Sequence, residues 1–129
     1  MDKLDANEIY LQDCLEGLDH IENKSIDVIV TSPPYNIGVD YDNYEDDKSE
    51  EDYLNWLKEV FSKCKKVLAD DGSLFLNIGN KPSNQQKAFD ITEELSELYN
   101  LQNTIHWIKS IAIPEEDTGN YQNIRGDIA

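Results

Sequence analysis

Hydrophobic and polar positions along the chain alternate between two kinds of pattern. Glu8-Ile9-Tyr10-Leu11 is a short apolar run that ends at Gln12-Asp13 and predicts a strand, with a helical turn from Cys14 to Leu18 behind it. Ile26-Asp27-Val28-Ile29-Val30 is nearly continuous and β-branched, the pattern of a strand covered on both faces. Leu54, Leu57, Phe61, Cys64 and Leu68 then recur at helical spacing and predict a helix over residues 50–69. Ser49-Glu50-Glu51-Asp52 opens it as a capping box with Asp in place of the usual Glu. Asp70-Asp71-Gly72 predicts a turn, Ser73 to Ile78 the next strand, and Gly79-Asn80-Lys81-Pro82 its end. Ser83 and Gln86 mark a second capping box, and Ala88, Ile91, Leu95 and Leu98 line one face of a helix reaching about Tyr99. Thr104-Ile105-His106-Trp107-Ile108 reads as a further strand, with Trp107 in the core and Lys109 a solvated charge at its end. Residues 37–49 form a long, acidic, tyrosine-rich loop, and long loops in compact domains are often functional.

Strands that alternate with helices imply right-handed crossovers and a mainly parallel sheet. The expected fold is therefore a three-layer α/β domain. Its sheet is short of strands, and the last strand has no covering helix, so the expectation is an incomplete domain over residues 1–113. Beyond Pro114 the chain becomes polar and aperiodic, which predicts a flexible tail over residues 114–129.

Composition narrows the class. The 129 residues are 39% hydrophobic and 29% charged, enough for one soluble domain. No apolar run approaches the roughly 20 residues of a membrane helix, and the acidic N-terminus lacks a signal-peptide pattern. A cytoplasmic location is the expectation. Cys14 and Cys64 match no metal spacing and are expected to be small buried hydrophobes. The net charge of −16 opposes contact with nucleic acid, so any such role needs cations from elsewhere. The run Glu45-Asp46-Asp47 reads as solvated surface.

The chemistry concentrates where the second apolar run meets Thr31-Ser32-Pro33-Pro34-Tyr35-Asn36. Two prolines fix φ, donate no backbone hydrogen bond and push the preceding residues toward extended geometry. A stiff turn thus follows a strand and carries a hydroxyl, carbonyls and a flat ring at the position where open α/β sheets bind ligands. Such a turn suits a planar amine whose nitrogen is to react.

On these residues the chain resembles the amino-methylating DNA methyltransferases, whose signature is Asp, Asn or Ser followed by Pro-Pro and an aromatic. Ser32-Pro33-Pro34-Tyr35 matches in full. The segments Ile9 to Glu16, Asp70 to Gly79 and Ile105 to Lys109 also resemble the family, in the family's order. The resemblance implies S-adenosylmethionine as cofactor and a flipped base of double-stranded DNA as substrate. It makes Ser32, Pro33, Pro34 and Tyr35 the catalytic residues. The Ser32 side chain and the Pro33 carbonyl would accept from the amine, and Tyr35 would stack on the base. It places Asp13, Thr31 and Ser32 at the cofactor, and Tyr35, Asn36 and Tyr41 at the substrate; Tyr41 and Tyr44 read either as part of a lid over the base or as plain loop residues. Ser as the first letter favours cytosine N4, with adenine N6 as the alternative. The restriction-modification enzymes are the expected setting.

The family's cofactor turn, Phe-x-Gly-x-Gly, has no counterpart, since no two of the six glycines are separated by a single residue. The expectation is the N-terminal catalytic half of a permuted enzyme, inactive alone, whose target-recognition and cofactor-binding regions lie in a missing C-terminal half or a separate subunit. The rival reading is a non-catalytic remnant that acts by association, as a homodimer or hetero-complex. A third keeps the chemistry and makes the substrate an RNA amine or a protein amide.

Overall fold

The computed structural model of the chain describes residues 2–36, 38–42 and 44–108. The long amphipathic helix forms as its spacing predicts. α2, Glu50–Val67, buries Tyr53, Leu57, Val60, Phe61, Cys64 and Val67 along one face. Ser49 caps it, its hydroxyl accepting from Asp52 N at 3.1 Å. It is preceded by α1, Cys14–Gly17, a 3-10 turn over Leu18–His20, and β1, Ile26–Thr31. β2, Leu68–Leu76, follows, and then α3, Lys87–Leu95.

β1 and β2 pair in parallel across the α2 crossover, which confirms the α/β class and the parallel sheet. The register runs from Val28 opposite Ser73 to Thr31 opposite Leu76. It shifts between Ile26, which faces Leu68, and Val28. The expected turn at Asp70-Asp71-Gly72 is therefore a bulge inside β2. A Cβ on Gly72 would stand 2.8 Å from Leu68 Cδ1, so only glycine lets the bulge close over that buried leucine.

The core is built between α2 and α3. Tyr53, Leu57, Phe61, Cys64, Ile91 and Leu95 form one buried cluster, and Ile29, Leu74 and Leu76 pack against it from one face of the strand pair. Tyr99 pins the end of the α3 segment to α2 by donating to the Phe61 carbonyl at 2.6 Å. The opposite sheet face is open. Val30 is 76% exposed and its register partner Phe75 51%, with Val28 exposed beside them. This corrects the expectation of a strand covered on both faces, because the described helices cover only one.

Other expectations also change. Residues 8–11 form no strand, and Ile9 and Leu11 are fully exposed, since among the described residues no neighbouring strand takes up their backbone groups. Residues 104–107 likewise stay outside any strand, Ile108 makes only an isolated bridge, and Trp107 is exposed rather than core. Cys14 is exposed, while Cys64 is buried as expected. α3 is shorter than predicted and does not use the Ser83–Gln86 box. Asn80 Oδ1 accepts from Ala88 N at 2.8 Å, and Asn84 Oδ1 from Gln86 N at 3.1 Å. Lys109 and the tail beyond Pro114 lie outside the described residues.

Candidate active site

Both strands end side by side. Thr31 closes β1 opposite Leu76, and its carbonyl accepts from Asn77 N at 2.9 Å, extending the ladder by one bond. The turn over Ser32, Pro33, Pro34 and Tyr35 thus leaves the sheet beside the segment Asn77-Ile78-Gly79. Ser32 is exposed, whereas Pro33, Pro34 and Tyr35 are half-buried. Tyr35 does not hang free. Its hydroxyl accepts from Asn77 Nδ2 at 3.0 Å, and its ring lies over Gly79, where an added Cβ would touch the ring edge at 3.5 Å. Burial pushes the Tyr35 phenol up, against the opposing effect of the Asn77 hydrogen bond, and Tyr41 lies close enough to push it further.

Behind Tyr35 the chain turns sharply. Asn36 has φ +58°, the left-handed conformation that asparagine tolerates. It is buried, 4% exposed, and anchors the loop. Its backbone N–H donates to Asp46 Oδ1 at 3.0 Å, and its side-chain amide donates to the Lys48 carbonyl at 2.7 Å. Asp46 Oδ2 accepts from Val39 N at 2.9 Å, and the Asp46 carbonyl accepts from Gly38 N at 2.8 Å. Asp46 is itself buried, which corrects the reading of Glu45-Asp46-Asp47 as solvated surface. One carboxylate closes the loop by accepting from two backbone N–H groups, of which that of Asn36 is buried.

Tyr41 and Tyr44 pair across this loop, with ring centroids 6.0 Å apart and planes at 73°. Tyr44 in turn leans on Trp56 of α2 at 5.0 Å. Tyr41 is exposed at the outer end of this aromatic stack. A cavity of about 600 Å³ opens between this loop and residues 80–83, with Asn36, Asp46, Lys48, Asn80 and Lys81 in its wall. Lys81 is tied to Glu50 at 3.1 Å, and the Lys48 ammonium sits 4.4 Å above the Tyr44 ring.

The residues expected at the cofactor are less gathered. Asp13 is the N-cap of α1, exposed, with one carboxylate oxygen accepting from Leu15 N at 2.8 Å. Thr31 and Ser32 stand at the end of β1, and none of the three lines the cavity.

The family model described as DNA methylase, for N6 and N4 amino-methyltransferases, matches residues 26–127. The chain belongs to this DNA methylase family. The type II methyltransferase M.MjaVI of Methanocaldococcus jannaschii is 50% identical over 58 residues, which are 45% of this chain and 30% of that protein. The DNA adenine methyltransferase YhdJ of Escherichia coli is 36% identical over 72 residues, 56% of this chain and 24% of that protein. Among solved structures, the PvuII DNA methyltransferase, described as cytosine-N4-specific, superposes with a TM-score of 0.68 at 22% identity, over 93% of this chain and 45% of that one. That likeness shows a shared fold. The chain spans less than half the length of each of these proteins.

Three polar anchors of the signature turn carry no assignment from the sequence: Asn77, Asp46 and Tyr53, whose hydroxyl donates to the Pro34 carbonyl. Asn77 carried a weak signal, as a polar residue at the close of an apolar strand run. Asp46 was masked by its acidic neighbours, and Tyr53 by a helical pattern that it also fits.

Proposed function

We propose that the chain is the catalytic portion of a site-specific DNA methyltransferase of restriction-modification type. It would transfer a methyl group from S-adenosylmethionine to the exocyclic amine of a base extruded from double-stranded DNA. Cytosine N4 is favoured, on Ser32 as the first letter of the signature, with adenine N6 as the alternative. The observation that carries the reading is the turn itself. Ser32-Pro33-Pro34-Tyr35 leaves β1 at the strand ends with Tyr35 held by Asn77 and lying over Gly79.

The chemistry follows from the amine. Its lone pair is delocalised into the base, so it is a weak nucleophile. The Ser32 hydroxyl and the Pro33 carbonyl accept from its two N–H groups, localise the lone pair and aim it. The ring of Tyr35 supports the base from one face, recovering part of the few kcal/mol of unstacking. When bound, S-adenosylmethionine supplies an electrophilic methyl on a sulfonium. Transfer needs no covalent enzyme intermediate, so Cys14 and Cys64 have no catalytic part, and alignment supplies most of the acceleration.

Of the residues present, Thr31, Ser32 and Asp13 would hold the cofactor. Thr31 and Ser32 offer hydroxyls at the strand end, and Asp13 keeps one carboxylate oxygen beyond its capping bond. The opposite wall of the cofactor pocket, with its glycine turn, would come from a C-terminal half or a separate subunit, as would the cations that meet DNA phosphates. The open face of Val28, Val30 and Phe75 favours such a complex and also supports the second reading, a subunit acting by association, with itself or another chain. A cytoplasmic location accords with a DNA substrate. Among the described residues no helix is long and apolar enough to cross a membrane.

The test is methyl transfer to DNA by the chain combined with a polypeptide carrying the cofactor turn, followed by mass spectrometry of the nucleosides. N4-methylcytosine is expected, and Ser32→Ala should slow its formation at least about a hundredfold, the scale of losing one aligned acceptor. N6-methyladenine would establish the alternative. Absence of any methylated base would end the enzymatic reading.

A further inference from the structure

Tyr53 lies in the first turn of α2 and is 1% exposed. Its ring is held by Trp56, 6.1 Å away between centroids, and by the ammonium of Lys87, 4.4 Å above its face. Its hydroxyl reaches out of the core and donates to the carbonyl of Pro34. A residue of the crossover helix is therefore hydrogen-bonded to the third residue of the signature.

The consequence follows from proline geometry. The rings of Pro33 and Pro34 set φ at both positions, so the freedom left in the turn is the rotation ψ that orients each carbonyl. A donor on the Pro34 carbonyl removes one of these rotations. It fixes the plane of the Pro34–Tyr35 peptide, from which the Tyr35 ring departs on one side and the Pro33 carbonyl on the other. We infer that Tyr53 is a positioning residue for methyl transfer, whose hydroxyl sets the Pro34–Tyr35 peptide and thereby aligns the acceptors and the stacking ring with the amine. This role rests on the function proposed above. Burial holds the Tyr53 phenol well above the ordinary tyrosine range, with Tyr44, Asp46 and Glu50 adding to the shift, so it remains a donor at any working pH. Asn77 steadies the far end of the same aromatic residue, so the turn is anchored from α2 at its backbone and from the β2 exit at its ring.

A purely structural hydroxyl would act on stability alone, and the experiment separates the two. Tyr53→Phe removes the donor and keeps the ring. Leu57→Ala, one turn further along the same buried face, disturbs the core without touching the Pro34 carbonyl. In the complete methyltransferase, Tyr53→Phe should slow single-turnover methyl transfer about tenfold while changing cofactor and DNA dissociation constants less than about twofold. Leu57→Ala should lower the melting temperature at least as far and leave the single-turnover rate, measured below melting, within about twofold of the parent. In the chain itself, Tyr53→Phe should shift the Pro34 carbonyl-carbon and Tyr35 amide resonances, which Leu57→Ala leaves in place. An active parent with a Tyr53→Phe rate equal to its own, or with both variants slowed alike, overturns the positioning role while the proposed function stands. Unmoved Pro34 and Tyr35 resonances overturn it whatever the activity. A parent that methylates no DNA overturns the proposed function and this role with it.

Discussion

Asn77 and Tyr35 are joined across the ends of the two strands: the asparagine side-chain amide donates to the tyrosine hydroxyl at 3.0 Å. The residue that follows β2 thus fixes the ring that follows β1. If that ring receives an extruded base, its orientation is set before the base arrives, and the ordering entropy is met in folding rather than in binding.

Replacing Asn77 by Ala should therefore weaken base capture more than chemistry. The expected effect is about a fivefold rise in the dissociation constant for DNA carrying 2-aminopurine at the target position, the size of one net hydrogen bond of about 1 kcal/mol. Titration by 2-aminopurine fluorescence measures it, and an unchanged constant would remove the link between this bond and the substrate.

Asp46→Asn replaces one carboxylate oxygen by an NH2 group that cannot accept, so either Asn36 N or Val39 N loses its acceptor. A buried N–H left without its acceptor costs about 1–3 kcal/mol. Urea denaturation should show a loss of that order, and limited proteolysis should cut between Asn36 and Asp46 well before it cuts α2. Equal stability and an uncut loop would show that the carboxylate is not the clamp.

Cys64 provides a pH signature. Burial, with a smaller contribution from Cys14, pushes its thiol up to about 11 from an ordinary value of 9.0. The folded chain thus keeps a proton that the unfolded chain releases first. This contribution is fully present below pH 9 and is lost as pH rises through 9 toward 11. Tyr99, whose phenol is also raised by burial, loses stability at still higher pH. Denaturation midpoints across this window should fall for the parent and fall less for Cys64→Ala. Ellman's reagent should label the exposed Cys14 in the native chain and Cys64 only after unfolding. Ready labelling of Cys64 in native buffer would contradict its burial.

Val30 and Phe75 face each other in register on the open side of the strand pair. The double change Val30→Glu with Phe75→Lys puts opposite charges at exposed positions, so stability should move by no more than about 0.5 kcal/mol. Association is expected to collapse, whether with a complementary polypeptide or with a second copy. Light scattering and pull-down with the cofactor-bearing polypeptide read both, and full retention of assembly would show that this face is not where a partner docks.

Much of this protein is decided by its sequence alone. The period of Leu57, Phe61 and Cys64 makes α2 amphipathic in any surroundings, and the β-branched run makes β1 extended. The ring of each proline stiffens the turn by covalent geometry. These properties are local, so they can be read residue by residue. The tertiary structure alone decided where polar groups find partners. Asp46 belongs to an acidic run yet lies buried, because loop closure brings Asn36 N and Val39 N to its oxygens. Tyr53 fits a core stripe, yet its hydroxyl meets Pro34 only because α2 crosses beneath the turn. For the same reason residues 8–11 and 104–107 look like strands but pair with no strand among the described residues: a strand exists only where a neighbour accepts its hydrogen bonds, and no local pattern supplies that neighbour.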